Sequence, residues 1–140
     1  YKMEYKNGYL QRVEQRYSYN ESRVRVSECT WRDGNLVEAK CTDYNEDGTD
    51  ITTVKYSYSK TTTPINIDLF YIDGGYIDVL EPLDLLGFYG RQSAKLPNKA
   101  NITYSGESES ESDDFGVYTL NGDGTVARID CGSVSYELIY

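Results

Sequence analysis

Asn7-Gly8-Tyr9-Leu10-Gln11-Arg12-Val13 (NGYLQRV) is the stretch from which the fold can be read, because it recurs. The chain repeats it as Asp33-Gly34-Asn35-Leu36-Val37-Glu38-Ala39 and again as Asp123-Gly124-Thr125-Val126-Ala127-Arg128-Ile129. Each copy opens on an Asx-Gly pair, the dipeptide that accepts the positive φ angles of a tight hairpin turn. One residue, an apolar residue, two further residues and a second apolar residue follow. The second and third copies add a cysteine two places on, Cys41 and Cys131. Each copy reads as one hairpin, in which the turn fixes the register and the pattern chooses the buried face. Consecutive hairpins make an antiparallel meander.

Working outward, the flanks alternate with period two, as half-buried strands do. Tyr1–Lys6 alternates weakly, and Tyr9 onward reaches the Tyr17-Ser18-Tyr19 run, with a turn expected at Asn20-Glu21-Ser22. From Arg23 to Trp31, Val24 and Val26 share one face and Arg23 and Arg25 the other, so the valine face is expected to be core and the arginine face solvated. Strands follow at Asn35–Thr42 and Ile51–Tyr58, the latter with Val54, Tyr56 and Tyr58 on one face. Later strands are expected at Lys99–Tyr104, Phe115–Leu120, Thr125–Asp130 and Val134–Tyr140, with a Cys131-Gly132-Ser133 turn before the last. Gly106–Asp114 (GESESESDD) holds no apolar residue and is expected to be a mobile loop. The fold class is therefore all-β, about ten strands in one domain spanning 1–140, as a strongly curved sheet or half-open barrel.

Composition narrows the function classes. The chain has 140 residues, 15 tyrosines, no histidine and a net charge of −9. Tyrosine favours strands. An acidic domain repels phosphate backbones, which argues against nucleic acid. Without histidine neither a Ser-His-Asp nor a Cys-His catalytic arrangement can be assembled. No segment is long and apolar enough to span a bilayer as a helix. Three cysteines, Cys29, Cys41 and Cys131, allow at most one internal disulfide and otherwise read as small apolar groups.

Pro64–Pro97 breaks the hairpin pattern and contains all three prolines. Ile65–Ile72 reads as a strand, and Pro82–Gly87 (PLDLLG) as a short helical turn with proline at its start and glycine at its end. Phe88, Tyr89 and the leucines form an apolar plug for one end or face of the sheet. Loops on a rigid sheet are also where binding surfaces sit, so Tyr76, Tyr89 and Arg91 are the candidate partner-binding residues, beside the 73–97 insertion.

The succession Asn66-Ile67-Asp68-Leu69, Leu85-Leu86-Gly87, Gly90-Arg91, Ser93 and Leu96-Pro97, set between tyrosine-rich hairpins, resembles a Bacteroides-type family of exported proteins, often lipoproteins, of unknown function with a porin-like fold. The hairpin repeat is distantly similar to the YD repeats of secreted toxins. The resemblance implies export to the periplasm or outer-membrane surface of a Gram-negative cell. It implies no reaction and transfers no catalytic residue. A chain opening on Tyr1 reads as processed or trimmed, with lipid anchoring left to a segment ahead of it.

Asp43-Tyr44-Asn45-Glu46-Asp47-Gly48 has the first half of a calcium-loop spacing, but Val54 stands where the closing Glu belongs and strands flank it, so it reads as a polar turn. The same holds for Asn121–Thr125. The acidic run at 107–114 reads as solvated, and no carboxylate pair is marked as buried for glycoside hydrolysis. The expectation is thus a non-enzymatic envelope protein without cofactor or metal. Its partner would be another envelope protein, a peptide or a glycan. A purely structural spacer is the alternative, and a glycan-active hydrolase the least favoured reading.

Overall fold

Asn7 and Gly8 both take positive φ (55° and 83°), as do Asp33 and Gly34 (50° and 76°), which makes both two-residue loops the mirror-image turns that suit strand twist. In a computed structural model that describes residues 1–58, 90–91, 93–114, 117–131 and 134–138, these turns belong to a seven-stranded antiparallel sheet. Its strands run in sequence order: β1 (Lys2–Lys6), β2 (Tyr9–Tyr17), β3 (Asn20–Arg32), β4 (Asn35–Asn45), β5 (Gly48–Tyr58), β6 (Pro97–Tyr104) and β7 (Ser110–Asp114). A second sheet has the order β10-β9-β8, from β8 (Val117–Leu120), β9 (Val126–Cys131) and β10 (Val134–Glu137). The all-β antiparallel meander is therefore present. Among the described residues no pairing joins β1 to β7, so the sheet does not close into a barrel. The expected strand at 65–72, the helical turn at 82–87 and the turn at 132–133 lie outside the described residues.

The repeat has a structural cause that simple alternation misses. In a regular strand, residues three apart point to opposite faces. Here the register shifts once after each turn: Glu4 faces Arg12 but Tyr5 faces Leu10, Thr30 faces Glu38 but Trp31 faces Leu36, and Thr119 faces Arg128 but Leu120 faces Val126. Gln11, Val37 and Ala127 are thus the extra residues of three β-bulges, each in the same place after its glycine. The bulge brings both apolar residues of each copy to one face. Leu10 and Val13, Leu36 and Ala39, and Val126 and Ile129 are all buried. A fourth shift, at Ser57/Tyr58, does the same for Pro97 and Ala100.

One face of the large sheet carries the core. Register places Cys29, Ala39, Val54 and Ile102 in a row across four strands, and all four are buried. Full burial of side chains of the Val or Ile kind stabilises by about 1.5–3 kcal/mol each. The core continues into the small sheet, where Leu96, Val126 and Ile129 pack together and Tyr118 touches both clusters. The Tyr118 hydroxyl donates to the Pro97 carbonyl at 2.7 Å, fastening the two sheets.

Three details correct the sequence expectations. On β3, buried Ser27 and Cys29 share their face with Arg23 and Arg25, while Val24 and Val26 lie on the other, opposite Arg16 and Glu14. The registers of the neighbouring strands choose the core face, and Asp43 compensates both arginines on it. Val26 is nonetheless buried, facing Thr42. The turn between β2 and β3 falls at Ser18-Tyr19 rather than at 20–22, and β3 starts at Asn20, although the Asn20 side chain accepts from the Ser22 amide as in an Asx turn. Finally, the end of the acidic run is a strand. Ser110–Asp114 pairs with β6 because the ladder needs only backbone groups, and an acidic edge resists pairing with other chains.

Candidate functional site

The segment from Gly90 to Leu96 crosses the end of the sheet where the two Asx-Gly turns protrude. The Arg91 amide donates to the Gly8 carbonyl at 2.8 Å, and the Ala94 amide to the Gly34 carbonyl at 2.9 Å. Gly90 forms an isolated antiparallel bridge with Tyr9. Neighbouring hairpin tips stand two strand spacings apart, about 10 Å, and the contacts at Arg91 and Ala94 bridge them.

Polar side chains complete this strap. Ser93 Oγ accepts from the Leu36 amide at 3.0 Å. The Tyr58 hydroxyl donates to the Leu36 carbonyl at 2.6 Å and lies 2.9 Å from Ser93 Oγ. Asn35 Oδ1 accepts from the Lys95 amide at 2.9 Å. Burial pushes the Tyr58 phenol up to about 12 despite the bonds it makes with Ser93 and Leu36. Leu96 and Pro97 then turn inward, both buried, and lead into β6.

Arg91 is exposed, and its guanidinium lies over the Tyr9 ring at 5.7 Å from the centroid. Tyr9 also meets Trp31, ring centroids 4.7 Å apart at 41°. Trp31 is held in place by donating its indole N–H to the Leu10 carbonyl at 2.7 Å. The result is a cation over the Tyr9 ring, which packs in turn on Trp31, at the strapped end of the sheet, a geometry suited to flat or anionic partners. Of the three residues expected to form the partner surface, Arg91 is placed here; Tyr76 and Tyr89 lie outside the described residues. Sequence reasoning missed Tyr9, Trp31, Ser93 and Asn35 as companions of Arg91. The available signal was the three-residue interval between Arg91 and Ala94, which only has meaning once the two turns are known to lie side by side.

The acidic motifs are occupied structurally. Asp43 bonds Arg23 and Arg25, and Asn45 Oδ1 accepts from the Asp47 amide within the β4–β5 turn. Asp123 accepts from the Thr125 amide and hydroxyl, at 2.9 and 2.7 Å, which holds its carboxyl below the usual carboxylate range. Among the described residues no group of three Cys, Asp or Glu side chains is placed to hold a metal ion, and no helix is long and apolar enough to cross a membrane.

Comparison of the chain with protein-family models, with curated proteins and with solved structures finds no match.

Proposed function

We propose that the chain is a non-enzymatic binding module of the bacterial cell envelope, presenting a partner surface beside the 73–97 insertion. The observation that carries this reading is the exposed Arg91 guanidinium stacked on Tyr9, itself packed on Trp31. Its partner would be an envelope protein, a peptide or a glycan. The resemblance across residues 66–97 supports export. A screen of envelope proteins and glycans against wild type, Arg91→Ala and Tyr9→Ala tests the surface. The expected outcome is a ligand whose affinity falls about tenfold in Arg91→Ala, the scale of one cation–aromatic contact with its hydrogen bonds. Unchanged affinity for every ligand found would sink this assignment.

A structural spacer is the second reading, favoured by the strap itself. Its bonds to Gly8, Gly34, Leu36 and Asn35 tie the β1–β2 turn to the β3–β4 hairpin and need no ligand. If Arg91→Ala lowers the Tm and no ligand emerges, the spacer reading takes precedence.

A further inference from the structure

Antiparallel order sends the hairpin turns to two opposite ends of the large sheet. The β1–β2 and β3–β4 turns lie at the strapped end, and the β2–β3, β4–β5 and β6–β7 turns at the other. The two ends differ in charge. Residues 6–8, 32–34, 90–91 and 93–95 carry four cations, Lys6, Arg32, Arg91 and Lys95, and one carboxylate, Asp33. Residues 18–19, 46–47 and 105–109 carry four carboxylates, Glu46, Asp47, Glu107 and Glu109, and no cation. All of these are exposed except half-buried Lys95. Neither group is neutralised among the described residues. Arg12, Arg16, Arg23, Arg25 and Arg128 each hold a carboxylate at 3.0 Å or less. Arg32 and Arg91, both at the strapped end, are the two described arginines that hold none. Lys6 and Lys95 hold none either, whereas Lys2 and Lys55 are ion-paired. The β4–β5 and β6–β7 turns stand two strand spacings apart, about 10 Å, the same pitch as the two strapped turns.

We infer that the strapped end is a docking surface for a second copy of this chain, which presents its β4–β5 and β6–β7 turns. Lys6 and Arg91 at the first strapped turn face the carboxylates of one acidic turn, and Arg32 and Lys95 at the second face those of the other. The contact joins two different surfaces, so each docked copy leaves one cationic and one acidic end open, and association continues head to tail. The net charge of −9 repels copies taken as wholes. At physiological ionic strength, however, the screening length is about 8 Å, whereas the 13 residues of β3 span about 40 Å. Charges at the contact act while the distant surplus is screened. Only the end-to-end approach brings opposite signs together, since the acidic β7 edge resists side-by-side pairing. Exposed ion pairs are individually weak, so the docking is read at high protein concentration. The inference names a partner for the surface around Arg91 and rests on reading that surface as a binding one.

The test is sedimentation velocity over a protein concentration series at about 0.15 M salt. It compares wild type with two double variants, Lys6→Glu with Arg32→Glu and Asp47→Lys with Glu107→Lys. Both alter exposed side chains only, and circular dichroism checks that each is folded. Wild type is expected to sediment faster as concentration rises. Each double variant alone is expected to associate about tenfold more weakly or worse, because like charges then meet at the contact. An equimolar mixture of the two is expected to regain association, since the reversed end of one fits the reversed end of the other. The inference is overturned if wild type stays monomeric, if either double variant alone associates as wild type does, or if the mixture associates no better than its components. A monomeric wild type that binds another ligand through Arg91 would overturn this inference alone and leave the proposed function standing.

Discussion

Gly90 takes a φ of +73° directly against the first hairpin turn, and a Cβ there would run into the Gly8 carbonyl oxygen. That oxygen is backbone and already accepts from the Arg91 amide, so it cannot give way cheaply. Gly90→Ala therefore combines left-handed strain with a clash and a lost strap contact. Chemical denaturation should show a loss of at least about 2 kcal/mol, and a Gly90→Ala protein as stable as wild type would mean that the strap is not seated on Gly8. None of this was visible in Gly90 itself. The motif Gly90-Arg91 could be quoted from sequence, but the reason for its glycine lies 82 residues earlier, at Gly8, across the sheet.

The bulges decide the packing of whole elements. Val37 is the residue that lets Leu36 and Ala39 face the core together. Deleting Val37 restores plain alternation and turns Leu36 to the opposite face, while its amide and carbonyl lose Ser93 and Tyr58. The expected cost is about 3–5 kcal/mol, comparable to emptying a buried leucine site, measured by urea unfolding; Val37→Thr, which keeps the residue count, should cost far less. The edge strand β7 has the reverse logic. Among the described residues it is the last strand of its sheet, and its acidic side chains contribute little to the core and guard that edge. Replacing Glu111 and Asp114 with Thr should keep the monomer fold and promote self-association, read by light scattering against protein concentration. A variant that stays monomeric would show that the edge is protected by other means.

For the molecule as a whole, pH dependence follows from two buried protonated groups. The Cys29 thiol is pushed from 9.0 up to about 12 by burial, and the Tyr58 phenol from 10.0 to about 12 for the same dominant reason. In both cases the folded chain holds its proton more tightly than the unfolded one. Their stability is fully present below about pH 9 and is lost as pH rises toward 12, on the order of 4 kcal/mol for Cys29 and about 3 kcal/mol for Tyr58. Tm should therefore fall steeply between pH 9 and 12. Cys29→Ala should delay the onset, and Tyr58→Phe should flatten the loss above pH 10 at the expense of its bond to Leu36. An unaltered alkaline profile in both variants would count against burial as the cause. On the acid side Asp43 and Glu14, each lowered chiefly by arginine hydrogen bonds, contribute stability that is present above the usual carboxylate range and lost as pH falls through it.

The local chemistry of the chain was enough to determine the all-β class, the antiparallel meander, the hairpin turns at Asn7-Gly8 and Asp33-Gly34 and the buried side of β5, because Asx-Gly φ preferences and period-two alternation act within a few residues. Tertiary structure alone decided which face of β3 is core, since that depends on the registers of β2 and β4 and on Asp43 reaching two arginines. It also decided that an acidic run becomes a strand, because an unpaired β6 edge supplies the partner. And it alone joined the Gly90–Pro97 motif to the hairpin repeat, because hydrogen bonds from Arg91 to Gly8 and from Ala94 to Gly34 connect residues whose proximity exists only after the sheet has formed.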